Sequence, residues 1–461
     1  RQRTVTALAA MMNLGAVRDG QLCRPDGSPF DQAGLAALEA TVLGGTLIRR
    51  LENDRFDPDQ VTGNAVMAVL GEGGNVITVA SRDLHDPLPP GWRVLDSSDG
   101  KVSVAVAAGS QLVVEKRRKL AVQSGGQLPS GFDPAALYPS RFHPRGLQLA
   151  IIASSDAVRS TGIEWQTIVD AVHPDEIGVY AASAMAQLDG NGTGGMLQAR
   201  LRGNRVSSKQ LPLGLNTMPA DFVNAYVLGS VGATGANAGA CATFLYNLRL
   251  AVEDIQSGRR RVVVVGNAEA PLLPEVIEGY AAMSALATDS DLCRLDGVSV
   301  PDYRRASRPF GDNCGFTLGE SGQYFVLMDD SLALQLGAQV HGAVSDVFVN
   351  ADGFKKSISA PGPGNYITLA KAVAGARAMF GDDVIRNRSF VQAHGSSTPQ
   401  NRTTESRIMN LVAGAFGIED WPVTAIKAFV GHSLAPASAD QMTVTLGVLR
   451  HGVMPGIKTV D

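Results

Sequence analysis

The sequence lacks any apolar run close to the roughly 20 residues that a membrane-spanning helix requires. Even the stretch Arg261-Val-Val-Val-Val-Gly266 is short and flanked by charge. The chain also opens without a segment typical of a secretion signal. These absences predict a protein of the cytoplasm with no membrane span.

Cysteine is scarce and ungrouped. The four cysteines lie far apart, at Cys23, Cys241, Cys293 and Cys314, and none belongs to a CxxC pair or a Cys/His ligand pattern. This distribution argues against a disulfide framework and against a zinc site, and it suits a reducing compartment. We therefore expect no bound metal.

An excess of positive charge is also missing. The 40 Lys and Arg residues are outnumbered by 44 Asp and Glu residues, which gives a formal charge of −4. A protein that coats nucleic acid would carry the opposite balance. The remaining composition is typical of a globular protein. Of the 461 residues, 45% are hydrophobic, which is enough to build the core of one large α/β domain or of two smaller ones.

The N-terminal part is the hardest to interpret. Periodicity predicts helices near Thr4–Leu14 and Asp31–Leu51, and the alternation in Lys101–Val106 predicts a strand. From His143 onward, helices and buried strands follow one another. This succession is typical of α/β organisation.

The later elements fit the same scheme. A helix is predicted over Ala242–Gln256 and a strand over Arg261–Val265. Before this helix and strand, a helix is predicted over Leu147–Thr161 and a strand over Ile177–Ala182. After them, strands are predicted over Gln323–Met328, Ala343–Val349, Phe390–Ala393 and Val423–Ile426. Two further helices are predicted over Tyr366–Phe380 and Thr403–Ala415. The glycine-rich run Gly190–Gly195 satisfies GxGxxG, but no helix is predicted after it, which favours a loop over a dinucleotide site.

Cys241 follows a segment of small residues and precedes the predicted helix, which places its sulfur at a helix N-terminus. Backbone N–H groups and the helix dipole stabilise a thiolate there and could also hold an oxyanion. The alternative is an inert cysteine that fills a small core site. The local context leaves both interpretations open.

Two histidines lie near the ends of predicted strands: His394 where one strand ends, and His432 between a strand that ends near Lys427 and a helix predicted to begin around Pro436. His394 lies in Ala393-His-Gly-Ser-Ser-Thr-Pro399, and His432 closes the segment Lys427-Ala-Phe-Val-Gly-His432. Singly, each could be a structural histidine that hydrogen-bonds to a nearby turn. A lysine five residues before a histidine at such a junction makes a functional interpretation stronger.

Three motifs together resemble those of the β-ketoacyl-ACP synthase family: Gly239-Ala-Cys-Ala-Thr243, His394-Gly-Ser-Ser-Thr-Pro399 and Lys427-Ala-Phe-Val-Gly-His432. Their order and their separations, 153 residues between Cys241 and His394 and 38 between the histidines, are similar to those of the family once an insertion before Arg308 is allowed. The resemblance spans approximately residues 141–450. The long N-terminal part is similar to a bacterial initiating type that acetyl-CoA primes.

The resemblance implies an α/β protein with the thiolase-like αβαβα layered fold, made of two similar halves, and usually a homodimer. We expect an N-terminal accessory or insertion region over residues 1–140. A first half with the nucleophile is expected over 141–330, and a second half with both histidines over 331–461. The family's glycine-rich C-terminal motif does not occur before Asp461, so the second half is expected to be incomplete at its C-terminal end.

The resemblance also implies a function, the decarboxylative Claisen condensation of an acyl thioester with malonyl-ACP in fatty acid biosynthesis. Cys241 would carry the acyl group, His394 and His432 would stabilise the enolate, and Lys427 would support them. No cofactor is expected to be bound by the protein itself. The substrates would arrive on the phosphopantetheine of acyl carrier protein or on CoA.

Substrate and carrier contacts follow from the same resemblance. Ser396 and Thr398 occupy positions that contact the phosphopantetheine arm in the family, or they stabilise a turn. Arg141 and Arg145 are candidates for docking the acidic carrier protein, with Arg259–Arg261 as a second cluster. The alternative for each arginine is an ordinary solvated surface side chain.

The sequence departs from the family in several places. Ala435-Pro-Ala-Ser438 replaces the usual Gly-Ala-Ala-Gly, and Arg402 replaces an acidic residue, whereas Glu405 is retained. The competing hypotheses are a thiolase-like acyltransferase, a polyketide-type ketosynthase and a noncatalytic partner subunit. The histidine motifs disfavour a thiolase, and Cys241 disfavours a noncatalytic subunit.

Overall fold

The computed structural model describes residues 2–18, 21–70, 75–84, 86–353 and 362–460. Its α-helices are α1 (Gln2–Met11), α2 (Gln32–Gly44), α3 (Arg145–Ser160), α4 (Trp165–Asp170), α5 (Thr193–Gln198), α6 (Gln210–Gly214), α7 (Met218–Val223), α8 (Thr243–Gln256), α9 (Pro274–Ala282), α10 (Asp289–Asp296), α11 (Asp330–Gln335), α12 (Pro363–Asn387), α13 (Pro399–Phe416), α14 (Lys427–Val430) and α15 (Ala437–His451). Its strands are β1 (Ala16–Arg18), β2 (Gln21–Cys23), β3 (Ile48–Arg50), β4 (Val61–Val69), β5 (Asn75–Ala80), β6 (Arg93–Ser98), β7 (Lys101–Val106), β8 (Gln111–Arg118), β9 (Ser124–Gly126), β10 (Ile177–Ala182), β11 (Ala233–Gly235), β12 (Val262–Glu269), β13 (Ser321–Met328), β14 (Val391–Gln392) and β15 (Val423–Thr424).

The described chain divides into two units. The larger contains Arg1–Leu51, Ala121–Leu197 and Val206–Asp461, and the smaller contains Glu52–Leu120 and Gln198–Arg205. In the smaller unit β4 pairs with β8, and β7 pairs with β5 and β6, all antiparallel. Strand β7 buries every second residue, which confirms the strand predicted from the alternation in Lys101–Val106.

A four-stranded sheet, ordered β11-β10-β12-β13, forms the core of the larger unit. Strand β10 pairs in parallel with β11 and β12, while β12 and β13 are antiparallel. Every residue of β10 and of β12 is buried, because helices cover both faces of the sheet. The valines of Val262–Val265 suit such a strand, since β-branched side chains pack well on a pleated surface.

Two long helices cover this sheet on opposite faces. Helix α3 packs Leu149 and Ala150 in a cluster with Val264, and α8 packs Phe244 and Leu248 in a different cluster with Val263. Neighbouring residues of one strand point to opposite faces, so the two helices lie on opposite sides. The chain that connects β11 to α8 contains Cys241, and the sheet therefore fixes where that residue emerges.

The C-terminal part of the larger unit carries both histidines. Short strands β14 and β15 pair in parallel, and helices α12 and α13 pack around Val373, Ile385 and Val412. His394 follows β14, while His432 lies between α14 and α15. Parallel strands end at the same edge of a sheet, so the two histidine loops begin close together.

Most predicted elements are observed, with three differences. The helix predicted over Asp31–Leu51 ends at Gly44, and Ile48–Arg50 form strand β3 instead. The strand Ile177–Ala182 is confirmed residue for residue. The strand predicted over Ala343–Val349 is wrong: this segment has irregular backbone, and its valines Val344 and Val347 pack against the α8 cluster without a strand ladder. The prediction of no helix after Gly190–Gly195 is also wrong, because α5 begins at Thr193.

Within the described residues, each helix is too short or too polar to cross a membrane.

Candidate active site

Cys241 lies in a single 3₁₀ turn, Ala240–Ala242, that continues directly into α8. Ala240 has a φ angle of 48°, in the left-handed region that costs a residue with a Cβ roughly 1 kcal/mol. The hydroxyl of Thr243 stabilises this turn, since it accepts from Gly239 N at 2.9 Å and donates to Ala240 O at 2.7 Å. The turn presents the sulfur at the N-terminal end of α8, as the sequence predicted.

A buried amide holds the segment before the cysteine. The side chain of Asn247 accepts from Asn237 N at 2.9 Å and donates to Asn237 O at 2.9 Å and Thr243 O at 2.8 Å. These bonds tie the approach to Cys241 onto the second turn of α8. The nucleophile candidate is therefore fixed by backbone contacts on both sides.

His394 is held by two side chains from elsewhere in the chain. The backbone N–H groups of His394 and Gly395 donate to the two carboxylate oxygens of Glu405, at 2.6 and 2.8 Å. Lys427 Nζ donates to His394 O at 2.7 Å and lies 3.5 Å from His394 Nδ1. An ammonium only donates, so Nδ1 acts as the acceptor and the proton is assigned to Nε2.

His432 is fixed through both its backbone and its ring. Its N–H donates to Thr317 O at 2.7 Å, and its carbonyl accepts from Gly319 N at 3.0 Å. The N–H of Leu434 donates to His432 Nδ1 at 3.0 Å, which again assigns the ring proton to Nε2. Both imidazoles therefore carry their N–H donor on Nε2.

The three side chains converge. The sulfur of Cys241 and one nitrogen from each of His394 and His432 all lie within 4.8 Å of one another. The two imidazole rings are 5.2 Å apart and nearly perpendicular, at 80°. A sulfur and two imidazoles are also ligands that zinc accepts, but the sequence predicted no metal and that expectation stays a prediction.

Electrostatics keep both histidines neutral. The charge of Lys427, followed by burial, lowers the pKa of His394 well below its ordinary value. Burial, followed by the charge of Lys427 and the electrostatic interaction with the His394 ring, lowers the pKa of His432 in the same way. Burial also lowers the pKa of Lys427, against the opposing charges of Cys241, Glu405 and Asp440. Two neutral imidazoles thus lie beside one sulfur.

Three further residues surround this group and were not selected from the sequence. Aromatic rings contact one another in series, edge to face from Tyr280 to Phe316 and tilted from Phe316 to His432, with centroid distances of 5.5 and 5.3 Å. The buried carboxylate of Glu269 accepts from Ser183 Oγ at 2.6 Å, and burial raises its pKa to about 7. A carboxylate at the end of an all-buried strand was the signal that could have identified Glu269.

Ser396 and Thr398 both lie buried beside His394. Their hydroxyls are 3.2 Å apart, and Thr398 caps α13 by accepting from Asn401 N at 3.2 Å. These contacts support the turn-stabilising interpretation, while the contact of these hydroxyls with a phosphopantetheine arm stays a prediction.

The two arginines selected for carrier docking lie in different surroundings. Arg141 is exposed, with its guanidinium 5.2 Å from the ring centroid of Phe142. Arg145 instead donates to both carboxylate oxygens of Glu320, at 2.8 and 3.0 Å, and the side chain of Glu320 is only 2% exposed. This pairing favours a structural role for Arg145.

The second arginine cluster is also engaged within the chain. Arg259 pairs with Asp254 at 2.6 Å, and Arg261 pairs with Asp329 at 2.7 Å. Arg260 donates to the carbonyl of Asp175. These contacts anchor the start of β12.

A cysteine at the start of a sheet-packed helix, opposite two neutral histidines, defines a condensing acyltransferase. The family profile described as "Beta-ketoacyl synthase, N-terminal domain" matches residues 139–333, and "Beta-ketoacyl synthase, C-terminal domain" matches residues 341–461. The chain belongs to the β-ketoacyl-ACP synthase family.

Relatives support the same assignment. The chain is 57% identical over 464 residues to "Beta-ketoacyl-[acyl-carrier-protein] synthase FabY" of Pseudomonas aeruginosa, covering 100% of this chain and 73% of the relative. The crystal structure of that noncanonical ketosynthase superposes with a TM-score of 0.96 and the same coverage. A β-ketoacyl synthase from Burkholderia phymatum has a TM-score of 0.61 at 23% identity, covers 75% of this chain and 79% of that one, and shows the fold alone.

Proposed function

We propose that the chain catalyses decarboxylative condensation of an acyl thioester with malonyl-ACP in fatty acid biosynthesis. The observation that carries this proposal is the convergence of Cys241, His394 and His432 within 4.8 Å. One nucleophile and two neutral donors are what the two half-reactions need.

In the first half-reaction the thiolate of Cys241 attacks the thioester carbonyl. The new C–S bond forms to the enzyme, the old one breaks, and the carrier leaves as a thiolate that takes up the proton lost earlier by the Cys241 thiol. The backbone N–H of Cys241, at the start of its helical turn, stabilises the oxyanion of the tetrahedral intermediate. The product is an acyl-enzyme.

In the second half-reaction a malonyl thioester binds with its thioester oxygen between the two Nε2–H groups. The bond to the carboxylate breaks, carbon dioxide leaves, and the electron pair forms an enolate that His394 and His432 stabilise. The enolate carbon attacks the acyl-enzyme, a C–C bond forms, and the sulfur of Cys241 leaves. Lys427 supports decarboxylation and the following attack by holding His394 through a hydrogen bond to its carbonyl oxygen.

The finer parts of the proposal concern primer, partners and architecture. The primer is acetyl-CoA, as in an initiating synthase, and no cofactor is retained between turnovers. The enzyme acts in the cytoplasm as a homodimer, docks acyl carrier protein at Arg141, with Arg145 as a second candidate, and contacts phosphopantetheine through Ser396 and Thr398. Residues 1–140 form an accessory region, and residues 141–330 and 331–461 form two similar halves of a thiolase-like αβαβα fold.

Mass spectrometry after incubation with acetyl-CoA and longer acyl thioesters tests the proposal, followed by product analysis with malonyl-ACP. We expect one acyl group on the wild-type chain and none on Cys241→Ala, with Cys293→Ala as a control that acylates normally. Equal acylation of Cys241→Ala would contradict the proposed nucleophile. Release of carbon dioxide from malonyl-ACP separates this reaction from that of a thiolase.

A further inference from the structure

The loop that carries His432 is held by a buried carboxylate that the proposed reaction does not use. Asp440 lies in the first turn of α15 and is 7% exposed. One carboxylate oxygen accepts from Ser433 Oγ at 2.5 Å, and the other accepts from Ser321 Oγ at 2.6 Å. Asp440 thereby joins the residue that follows His432 to the first residue of β13.

A buried carboxylate is costly unless hydrogen bonds and charge compensate for its lost hydration. Burial raises the pKa of Asp440, while the hydrogen bonds from Ser321 and Ser433 and the charge of Lys427 oppose that rise. An apolar side chain at this position would avoid the cost altogether. The presence of a carboxylate at position 440 therefore points to a need for two directed hydrogen bonds there.

The backbone beside His432 explains that need. Leu434 has a φ angle of 62°, a left-handed conformation that is unfavourable for a residue with a Cβ. The N–H of the same Leu434 fixes the His432 ring by donating to Nδ1 at 3.0 Å. Ser433 lies between His432 and Leu434 in the sequence, so its bond to Asp440 holds the turn in the conformation that places the His432 ring beside Cys241.

We propose that Asp440 is a positioning residue for His432, which it holds through Ser433. The inference rests on the proposed function, in which His432 stabilises the enolate but takes no part in the attack of Cys241 on the primer. Loss of the link should therefore slow decarboxylation and leave acylation nearly intact. A role in folding alone would not separate the two half-reactions.

Four variants of the full chain test this. Asp440→Ala removes both bonds, and Ser433→Ala removes only the bond next to His432. Ser321→Ala is the matched control, because it removes the other bond and leaves the Ser433 link in place. Asp440→Asn keeps both contacts, since an amide can accept from one hydroxyl and donate to the other.

Acylation is measured by mass spectrometry with acetyl-CoA, and decarboxylation by carbon dioxide release from malonyl-ACP. We expect Asp440→Ala and Ser433→Ala to release carbon dioxide about 100-fold more slowly, because a small displacement of a catalytic group has an effect of that size. Acylation should stay within about threefold of the wild-type rate, and Ser321→Ala and Asp440→Asn should retain most of both activities.

Three results would overturn the inference: equal slowing of both half-reactions in Ser433→Ala, no slowing of either, or an Asp440→Asn variant as slow as Asp440→Ala. Thermal unfolding of each variant shows that the chain is folded. If Asp440→Ala does not fold, Ser433→Ala decides, because it leaves Asp440 with its bond from Ser321. A wild-type chain that releases no carbon dioxide would instead contradict the proposed function.

Discussion

Lys427 Nζ lies 2.7 Å from the carbonyl oxygen of His394 and 3.5 Å from Nδ1 of the same residue. One buried ammonium thus fixes both the backbone and the ring of a candidate catalytic histidine. Its charge is the largest cause of the lowered pKa of His394. The tautomer and the charge state of His394 therefore depend on Lys427.

Replacing Lys427 by Met should raise the pKa of His394 toward its ordinary value of about 6.5, because a neighbouring cation no longer opposes protonation. In the wild-type chain His394 stays neutral as the pH falls through this range, whereas in the variant it gains a proton there. Nδ1 also loses its donor, so the ring is no longer held in one tautomer. We expect decarboxylation to fall about 100-fold and to acquire a new pH dependence below about pH 7.

Histidine titration by NMR and the pH profile of carbon dioxide release measure both effects. Lys371→Met, at an exposed position on α12, is the control and should change neither. A pKa for His394 that stays well below the ordinary range in Lys427→Met would contradict the electrostatic explanation.

Two glycines with positive φ angles but different ψ angles, −171° at Gly431 and 22° at Gly452, provide a second test. Gly431, next to His432, has a φ angle of 76°, and an added Cβ would lie 2.9 Å from Thr317 O. Gly452 has a φ angle of 64°, with no neighbour within 4 Å of an added Cβ. Gly452→Ala should lower the free energy of unfolding by about 1 kcal/mol. Gly431→Ala should lower it further and also slow decarboxylation, because His432 must move.

Denaturant unfolding and carbon dioxide release of the two variants give the comparison. Equal losses of stability would mean that neither the contact with Thr317 nor the ψ angle of −171° at Gly431 adds to the cost of the substitution.

Local pattern was enough to predict the elements that carry the site. The buried strand Ile177–Ala182 and the helix after Cys241 were predictable because each is decided by short-range periodicity and small residues. The segment Ala343–Val349 was not, because its valines could pack on α8 without strand pairing. The periodicity of hydrophobic residues predicts which side chains are buried, but it does not predict whether the backbone of that segment pairs with another strand.

The supporting residues of the site could not be predicted for a different reason. Asp440 acts on Ser433 nearby but also on Ser321, 119 residues away, and Arg145 pairs with Glu320 across 175 residues. Such partners share no local pattern, and only the folded chain brings them together. Cys241, His394 and His432 were found because the motifs around them are distinctive in sequence.

The ion pair between Arg145 and Glu320 leads to a third prediction. The side chain of Glu320 is 2% exposed and that of Arg145 is 18% exposed, so Arg145→Met leaves a buried carboxylate without its cation. We expect the free energy of unfolding to fall by about 3 kcal/mol. Replacing both residues by Met should recover much of this loss. Denaturant unfolding of the single and double variants measures the coupling, and additive losses would show that the pair contributes little.

Arg141 is the exposed arginine of the two proposed for carrier docking, and it lies beside a second cation. Lys209 Nζ lies 4.2 Å from the ring centroid of Phe142, whose other neighbour is the Arg141 guanidinium at 5.2 Å. An acidic carrier protein would be attracted to two such charges. Arg141→Glu should therefore raise the KM for malonyl-ACP about tenfold at low salt and leave the KM for malonyl-CoA unchanged.

Salt distinguishes this effect from a distorted active site, because added salt screens exposed charges and should reduce the difference between the variant and the wild-type chain. Arg377→Glu is the matched control: Arg377, on α12, is also exposed and also lies against an aromatic ring, that of Phe416 at 5.1 Å, whereas Arg141 lies in a turn before α3. Steady-state kinetics with both malonyl thioesters at two salt concentrations decide the question. If Arg141→Glu raised both KM values equally, or if Arg377→Glu had the same effect on the carrier, docking at Arg141 would be rejected.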